Sequence, residues 1–164
     1  MDKKKIAFIT CVNDEAEYAE CRFYLDRLHI PEGYHVDRIE IRGASSLASG
    51  YNAGMQSTDA RYKVYLHQDV FMINVELIND LLAVFEKDEQ IGLVGVIGSR
   101  NPKMWDATRI TLWDSGRVFT NMAVLDLVSP TKDSLFMGVQ VVDGLFLATQ
   151  YDIPWREDLF DGWD

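Results

Sequence analysis

The stretch Val64-Tyr65-Leu66-His67-Gln68-Asp69-Val70-Phe71-Met72 is apolar at both ends and polar in the middle. Polar groups collect in the same way at Thr10-Cys11-Val12-Asn13-Asp14-Glu15, at Gly43-Ala44-Ser45-Ser46, and at the end of the chain around Asp161 and Asp164. Carboxylates, amides and hydroxyls of this kind can take a hard divalent cation or accept a proton in general base catalysis. Each also has a plainer use. Asp69 can cap a turn, His67 can be a hydrogen-bonded structural histidine, and Asn52 with Gly54 can mark a close approach of a helix to a sheet. Asp161 and Asp164 can be acids of a solvated tail. Asp143-Gly144 can be a strand bulge or one side of a cleft. Of the four tryptophans, Trp105, Trp113, Trp155 and Trp163, core packing accounts for most, although exposed indoles stack well on sugar rings.

What decides between these uses is where the elements put the residues. Lys5 to Val12 is almost continuously apolar and β-branched, as in a strand covered on both faces of a parallel sheet. From Asp14 the apolar positions Tyr18, Cys21, Leu25 and Leu28 follow helical spacing, with acids in the first turn and Pro31 and Gly33 beyond the end. Tyr34 to Ile41 alternates as a second strand. A second helix over Leu47 to Gln56 contains Gly50 and Gly54, which weaken it. Tyr62 to His67 is a third strand. A third helix, capped by Asn74, carries Ile78, Leu81, Leu82 and Phe85 on one stripe. Ile91 to Ile97 reads as a single fourth strand.

Alternating strands and helices predict an α/β fold, a Rossmann-type, mostly parallel sheet with helices on both faces. After Gly98 the alternation stops. Ser99 to Thr108 reads as loop, Ile110 to Leu127 as short strands around Asp114-Ser115-Gly116, and Leu135 to Thr149 as a longer run, so the last third is mixed. In such sheets ligands gather at the carboxyl ends of strands, which is where the clusters at residues 10–15, 43–46 and 67–69 fall. No glycine-rich phosphate fingerprint follows the first strand, which removes the main support for a dinucleotide or P-loop site.

Composition excludes other classes. With 16 basic and 26 acidic residues the formal charge is −10, and beyond Lys3-Lys4-Lys5 there is no basic patch to attract nucleic acid or anionic lipid. No apolar run approaches the roughly 20 residues of a transmembrane helix. Cys11 and Cys21 are too few for a disulfide framework or a metal site, and the cytoplasm is the expected compartment.

With the elements in order, the chain resembles the nucleotide-sugar glycosyltransferases of the GT-A fold, in particular the inverting family two. Asn13-Asp14 matches that family's polar turn after strand one, and Tyr51-Asn52-Ala53-Gly54 partly matches its Arg-Asn-x-Gly. His67-Gln68-Asp69 stands where the family has Asp-x-Asp, with only the second acid kept. Leu159-Phe160-Asp161-Gly162-Trp163-Asp164 looks like its Phe-Asp turn leading to a catalytic acid. The resemblance implies a GT-A-like fold and metal-dependent, inverting transfer of a sugar, of hexosyltransferase type, from a nucleotide-diphosphate-sugar to a carbohydrate or other hydroxyl acceptor. It implies that Asp69 holds Mg²⁺ or Mn²⁺, that Asp164 is the base with Asp161 second, and that Thr10, Asn13, Asp14, Asn52, Gln68 and Asp143 bind the nucleotide-sugar. Residues 1–164 then form a single glycosyltransferase-like domain truncated at its C-terminus. The alternative is a non-catalytic nucleotide- or sugar-binding domain of the same fold.

Overall fold

The computed structural model describes residues 1–104, 114–120, 124–126 and 136–162. The chain gathers into two compact units, Met1–Leu93 with Gly144–Asp164, and Val94–Asp143. In the first unit, β1 (Asp2–Val12) leads through α1 (Glu15–Leu25) to β2 (His35–Arg42), and α2 (Leu47–Gln56) leads to β3 (Ala60–Leu66). After α3 (Leu77–Lys87) comes β4 (Leu93–Gly95), of which only Leu93 belongs to this unit, and, much later, β9 (Phe146–Thr149). The strand order is β2-β1-β3-β9-β4. β2 and β3 flank β1 in parallel, with Thr10 level with Glu40 on one side and Leu66 on the other. β9 runs antiparallel to β3, pairing Lys63 with Thr149 and Leu66 with Phe146.

The helices cover both faces, as expected. Tyr62, Val64 and Ile6 meet α3 through Ile78, Leu81 and Phe85. On the same face, Arg38 of β2 pairs with Asp26 at the end of α1 at 2.6 Å. The opposite face takes α2, and here the two glycines have a purpose. A Cβ at Gly54 would lie 2.3 Å from Ile9 Cγ2, and one at Gly50 would lie 2.3 Å from Cys11 Sγ. The missing side chains let the helix backbone rest directly on β1, which offsets their poor helix propensity.

Two expectations need correction. Asn74 does not cap α3. Its side-chain oxygen accepts from the Glu76 amide at 3.1 Å and its amide nitrogen donates to Asp80 at 2.7 Å, so it forms a turn ahead of the helix. The residue at the cap is Glu76, whose side chain makes no capping bond. Nor is Ile91 to Ile97 one strand. It is divided between β4 and β5 (Ile97–Ser99), which belong to different sheets. The second unit is the sheet β7-β6-β5-β8, made of β5, β6 (Asp114–Phe119), β7 (Val124–Asp126) and β8 (Val141–Val142). Its pairings are antiparallel. Gly116, at φ +124, brings its backbone against Val96, where a Cβ would meet the Val96 carbonyl at 2.1 Å. A 3₁₀ turn at Pro102–Met104 lies in the stretch expected to be loop.

Both cysteines are free and buried. Burial pushes the Cys11 thiol up to about 11. Cys21 rises to about 12, from burial first and then from the nearby Asp69 carboxylate. Since the thiolate is the nucleophile, neither should be alkylated by iodoacetamide in the folded protein at neutral pH, and both should react in denaturant. Mass spectrometry of the labelled chain checks this, and modification under native conditions would contradict the burial of the α1 and α2 contacts.

Candidate active site

The strand order creates one privileged place. The chain passes from β1 to β2 on one side and then crosses to β3 on the other, so the carboxyl ends of β1 and β3 form a topological switch point, the place where ligands gather in open α/β sheets. The polar groups of Asn13-Asp14 and His67-Gln68-Asp69 meet there. Asp14 caps α1, its carboxylate accepting from the Ala16 amide at 2.8 Å and the Glu17 amide at 3.1 Å. A carboxylate at this position also meets the positive end of the helix dipole.

Gln68 bridges the two loops. Its side-chain oxygen accepts from the backbone amides of Asn13 at 2.8 Å and Asp14 at 3.0 Å, while its amide nitrogen donates to Asn13 Oδ1 at 2.5 Å and Glu17 Oε2 at 3.0 Å. A glutamine can donate and accept at once, which neither a glutamate nor an arginine can do, and so it locks the β1 loop to the end of β3. Half-buried His67 donates its backbone amide to the Leu145 carbonyl at 3.2 Å, which extends the β3–β9 pairing by one residue. The Val70 amide closes a turn onto the His67 carbonyl at 3.3 Å. Asp69 stands exposed on that turn.

The end of β2 is fixed to α1 in its turn. Arg42 donates to both carboxylate oxygens of Glu15, at 2.6 and 2.9 Å, and to Glu40 at 2.8 Å. The guanidinium holds both carboxyl groups below their ordinary range. A cavity of about 370 Å³ lies alongside, lined by Glu15, Tyr18, Glu40 and Arg42 among others, but its walls include none of Asn13, Gln68 or Asp69.

The segment after β9 supplies the remaining part. It returns along α2, where Asn52 accepts from the Trp155 amide at 2.9 Å and donates to the Trp155 carbonyl at 3.0 Å and to Glu157 at 2.5 Å. Fully buried Lys63 reaches Asp152 at 2.5 Å and also the Ala60 carbonyl. The segment ends at the start of α2, whose first amide, that of Leu47, donates to the Gly162 carbonyl at 3.1 Å. Because α2 begins just beyond the carboxyl end of β2, this contact returns the turn that carries exposed Asp161 to the edge of the sheet where the strand-end loops lie.

The expected site residues therefore fall in several places. Asn13, Asp14, Gln68 and Asp69 lie just beyond the carboxyl ends of β1 and β3, with Gln68 bonded to the first two. Thr10, 1% exposed, lies within the sheet. Asn52 faces the returning segment. Asp143 belongs to the second unit, where its amide donates to the Ile97 carbonyl at 3.0 Å. Asp164 lies outside the described residues. Sequence reading gave no role to Lys63 or Glu157. Lysine in the middle of an otherwise apolar strand was the available signal for the first, and nothing local marks the second.

Among the described residues, no group of three or more histidine, cysteine, aspartate or glutamate side chains is placed to hold a metal ion. Asp69 offers one exposed carboxylate, which suits the way Mg²⁺ is commonly held, by one or two carboxylates together with substrate phosphates. Among the same residues, no helix is long and apolar enough to cross a membrane. A family model described as a glycosyltransferase-like family matches residues 7–164. No curated protein matches the chain.

Proposed function

Because the chain belongs to this glycosyltransferase-like family, whose chemistry is sugar transfer from a donor to an acceptor, we propose a donor and a mechanism. The donor is a nucleotide-diphosphate-sugar bound at the carboxyl ends of β1 and β3, and transfer inverts the anomeric centre. The observation that carries this reading is the contact between the Leu47 amide and the Gly162 carbonyl, which brings the acid-bearing turn back to the same edge of the sheet as Asp69.

In this reading Asp69 holds Mg²⁺ or Mn²⁺, which when bound neutralises charge on the diphosphate leaving group. Asn13 and Asp14, fixed by Gln68, line the donor side. Asp164, or failing it Asp161, takes the proton of the acceptor hydroxyl as that oxygen attacks the anomeric carbon. The bond from the anomeric carbon to the diphosphate breaks, its electron pair leaves with the phosphate oxygen, and attack from the opposite face inverts the centre.

Since Asp69 is a lone carboxylate, metal and nucleotide should bind together. Uridine or guanosine diphosphate with Mn²⁺ should raise the melting temperature more than the nucleotide or Mn²⁺ alone. At a hundredfold excess over Kd the stabilisation is about 2.7 kcal/mol, or roughly 5–10 °C for a chain of this size. Asp69→Ala should lose the metal-dependent part. Equal stabilisation of that variant, or no metal-dependent stabilisation of the wild type, overturns the metal role.

A further inference from the structure

We infer that Asn52 is a positioning residue, a clip that sets the register of the returning segment on α2 and thereby holds the Asp161 turn at the edge of the sheet. The part of this inference that concerns transfer rests on the function proposed above. The clip itself does not.

Asn52 is 9% exposed, and its amide is matched to one backbone position. It accepts from the amide of Trp155 and donates to the carbonyl of the same residue. Two residues facing each other in an antiparallel ladder exchange the same pair of bonds. The second amide hydrogen goes to Glu157. A slip of one residue would put a different backbone unit opposite Asn52 and turn the Trp155 side chain away from its neighbours. Those neighbours are specific. The indole lies 5.4 Å from the Tyr51 ring and 5.0 Å edge-on to the Tyr65 ring, centroid to centroid.

The clip matters because of the slack on either side of it. From Trp155 to Gly162 the chain could span roughly 23–25 Å if extended. The helix positions it joins, Asn52 and Leu47, are separated by only about 7.5 Å along the axis. Turns take up the difference: the Glu157 amide bonds to the Trp155 carbonyl and the Leu159 and Phe160 amides to the Arg156 carbonyl, and Arg156 pairs with Asp158. Without Asn52, what holds the segment upstream of the Gly162 contact is the Trp155 ring against Tyr51 and Tyr65 and the Asp152 pair with Lys63, neither of which bonds the backbone of residues 155–161. The turn bearing Asp161 is then tethered but no longer placed. A proton acceptor displaced by about 1 Å can cost on the order of 10²-fold in rate.

Hydrogen exchange and donor turnover, measured together on the full chain, test the inference. In Asn52→Ala, the Leu47 amide and the amides of residues 155–162 should exchange about tenfold faster or more, while β1 and β3 keep their protection. The turnover number for a uridine or guanosine diphosphate sugar should fall about tenfold or more, with the nucleotide-induced thermal shift unchanged. Asn52→Asp should behave similarly, since it sets a carboxylate against both the Trp155 carbonyl and Glu157. Adding Glu157→Gln supplies a donor to that carboxylate but none to the Trp155 carbonyl, so it should relieve part of the repulsion without returning either readout to the wild-type level. Unchanged exchange at Leu47 and residues 155–162 overturns the clip. Exchange that rises equally in β1 and β3 overturns it too, by showing a general loss of stability. Release of the segment with turnover intact overturns the positioning role. If the wild type turns over no donor, the proposed function fails, and the exchange result alone decides whether the clip exists.

Discussion

Replacing Asp164 by Asn is expected to slow sugar transfer by roughly 10²- to 10⁴-fold, the usual contribution of a positioned general base. The substitution keeps the shape of the side chain and removes its ability to accept the acceptor's proton. Donor affinity, and the metal-dependent thermal shift with nucleoside diphosphate, should stay as in the wild type. Asp161→Asn should cost less, because Asp161 is the second choice for the base. Steady-state release of nucleoside diphosphate in the presence of acceptor, fitted for kcat and KM separately, distinguishes the outcomes. A fall in kcat alone identifies a group used only during the reaction. If the Asp164 variant is unimpaired and Asp161→Asn is severely slowed, the two roles are exchanged. If neither variant is slowed, the base is elsewhere and the turn at Gly162 has a structural purpose only.

The second large effect concerns α2. In an exposed helix, Gly→Ala stabilises by up to about 1 kcal/mol. At Gly54 the sign should reverse, because the new methyl would sit 2.3 Å from Ile9 Cγ2 and Ile9 is wholly buried in β1. Overpacking of this kind costs about 1–3 kcal/mol, and Gly54→Val should lie at or beyond the upper end. At roughly 2–4 °C per kcal/mol, the valine variant should melt about 6–12 °C lower. Ile9→Ala removes the atom in the way. The double variant Ile9→Ala with Gly54→Ala should therefore lose less stability than the sum of the two single changes, the expected coupling of residues in contact. An alanine variant that melts higher than the wild type would show that α2 stands off from the sheet.

Much of this architecture is legible in the sequence wherever local pattern and tertiary placement agree. The unbroken apolar run of β1 announces a strand buried on both faces, and α2 occupies Leu47–Gln56 as read, despite its glycines. The third strand ends where His67-Gln68-Asp69 turns polar, its last residue being Leu66. Errors arise where local pattern is silent about distant partners. The apolar residues from Ile91 to Ile97 look like one strand because nothing within that window tells that the chain changes sheets at Val96. Asn74 has the chemistry of a helix cap, but its side chain serves a turn two residues ahead of the cap position. The same holds for the site. Gln68, expected to bind the nucleotide-sugar, also joins two loops of the protein through its carboxamide, 55 positions apart at Asn13, a contact that spacing does not announce. Asn52 was read together with Gly54 as part of a motif, and its partner Trp155 lies 103 positions away. Side chains that complete long-range contacts carry no periodicity, so neither could be assigned from spacing.

The pairing of β3 with an antiparallel β9 has a consequence for the order of assembly. Lys63 and Asp152, the ion pair that follows this ladder, are separated by 89 positions. At about 5–20 residues per second, synthesis of the intervening chain takes roughly 4–18 s. Through that interval one edge of β3 has no strand beside it, although β1 already covers the other. Loop closure over such a length also slows pairing after synthesis. The vulnerable state is thus a nascent one with β1, β2 and β3 assembled and Tyr65 uncovered, a site for a chaperone or for aggregation. The charged side chains of Arg61 and Lys63, placed along the waiting strand, would discourage the wrong strand from adding there until Asp152 arrives.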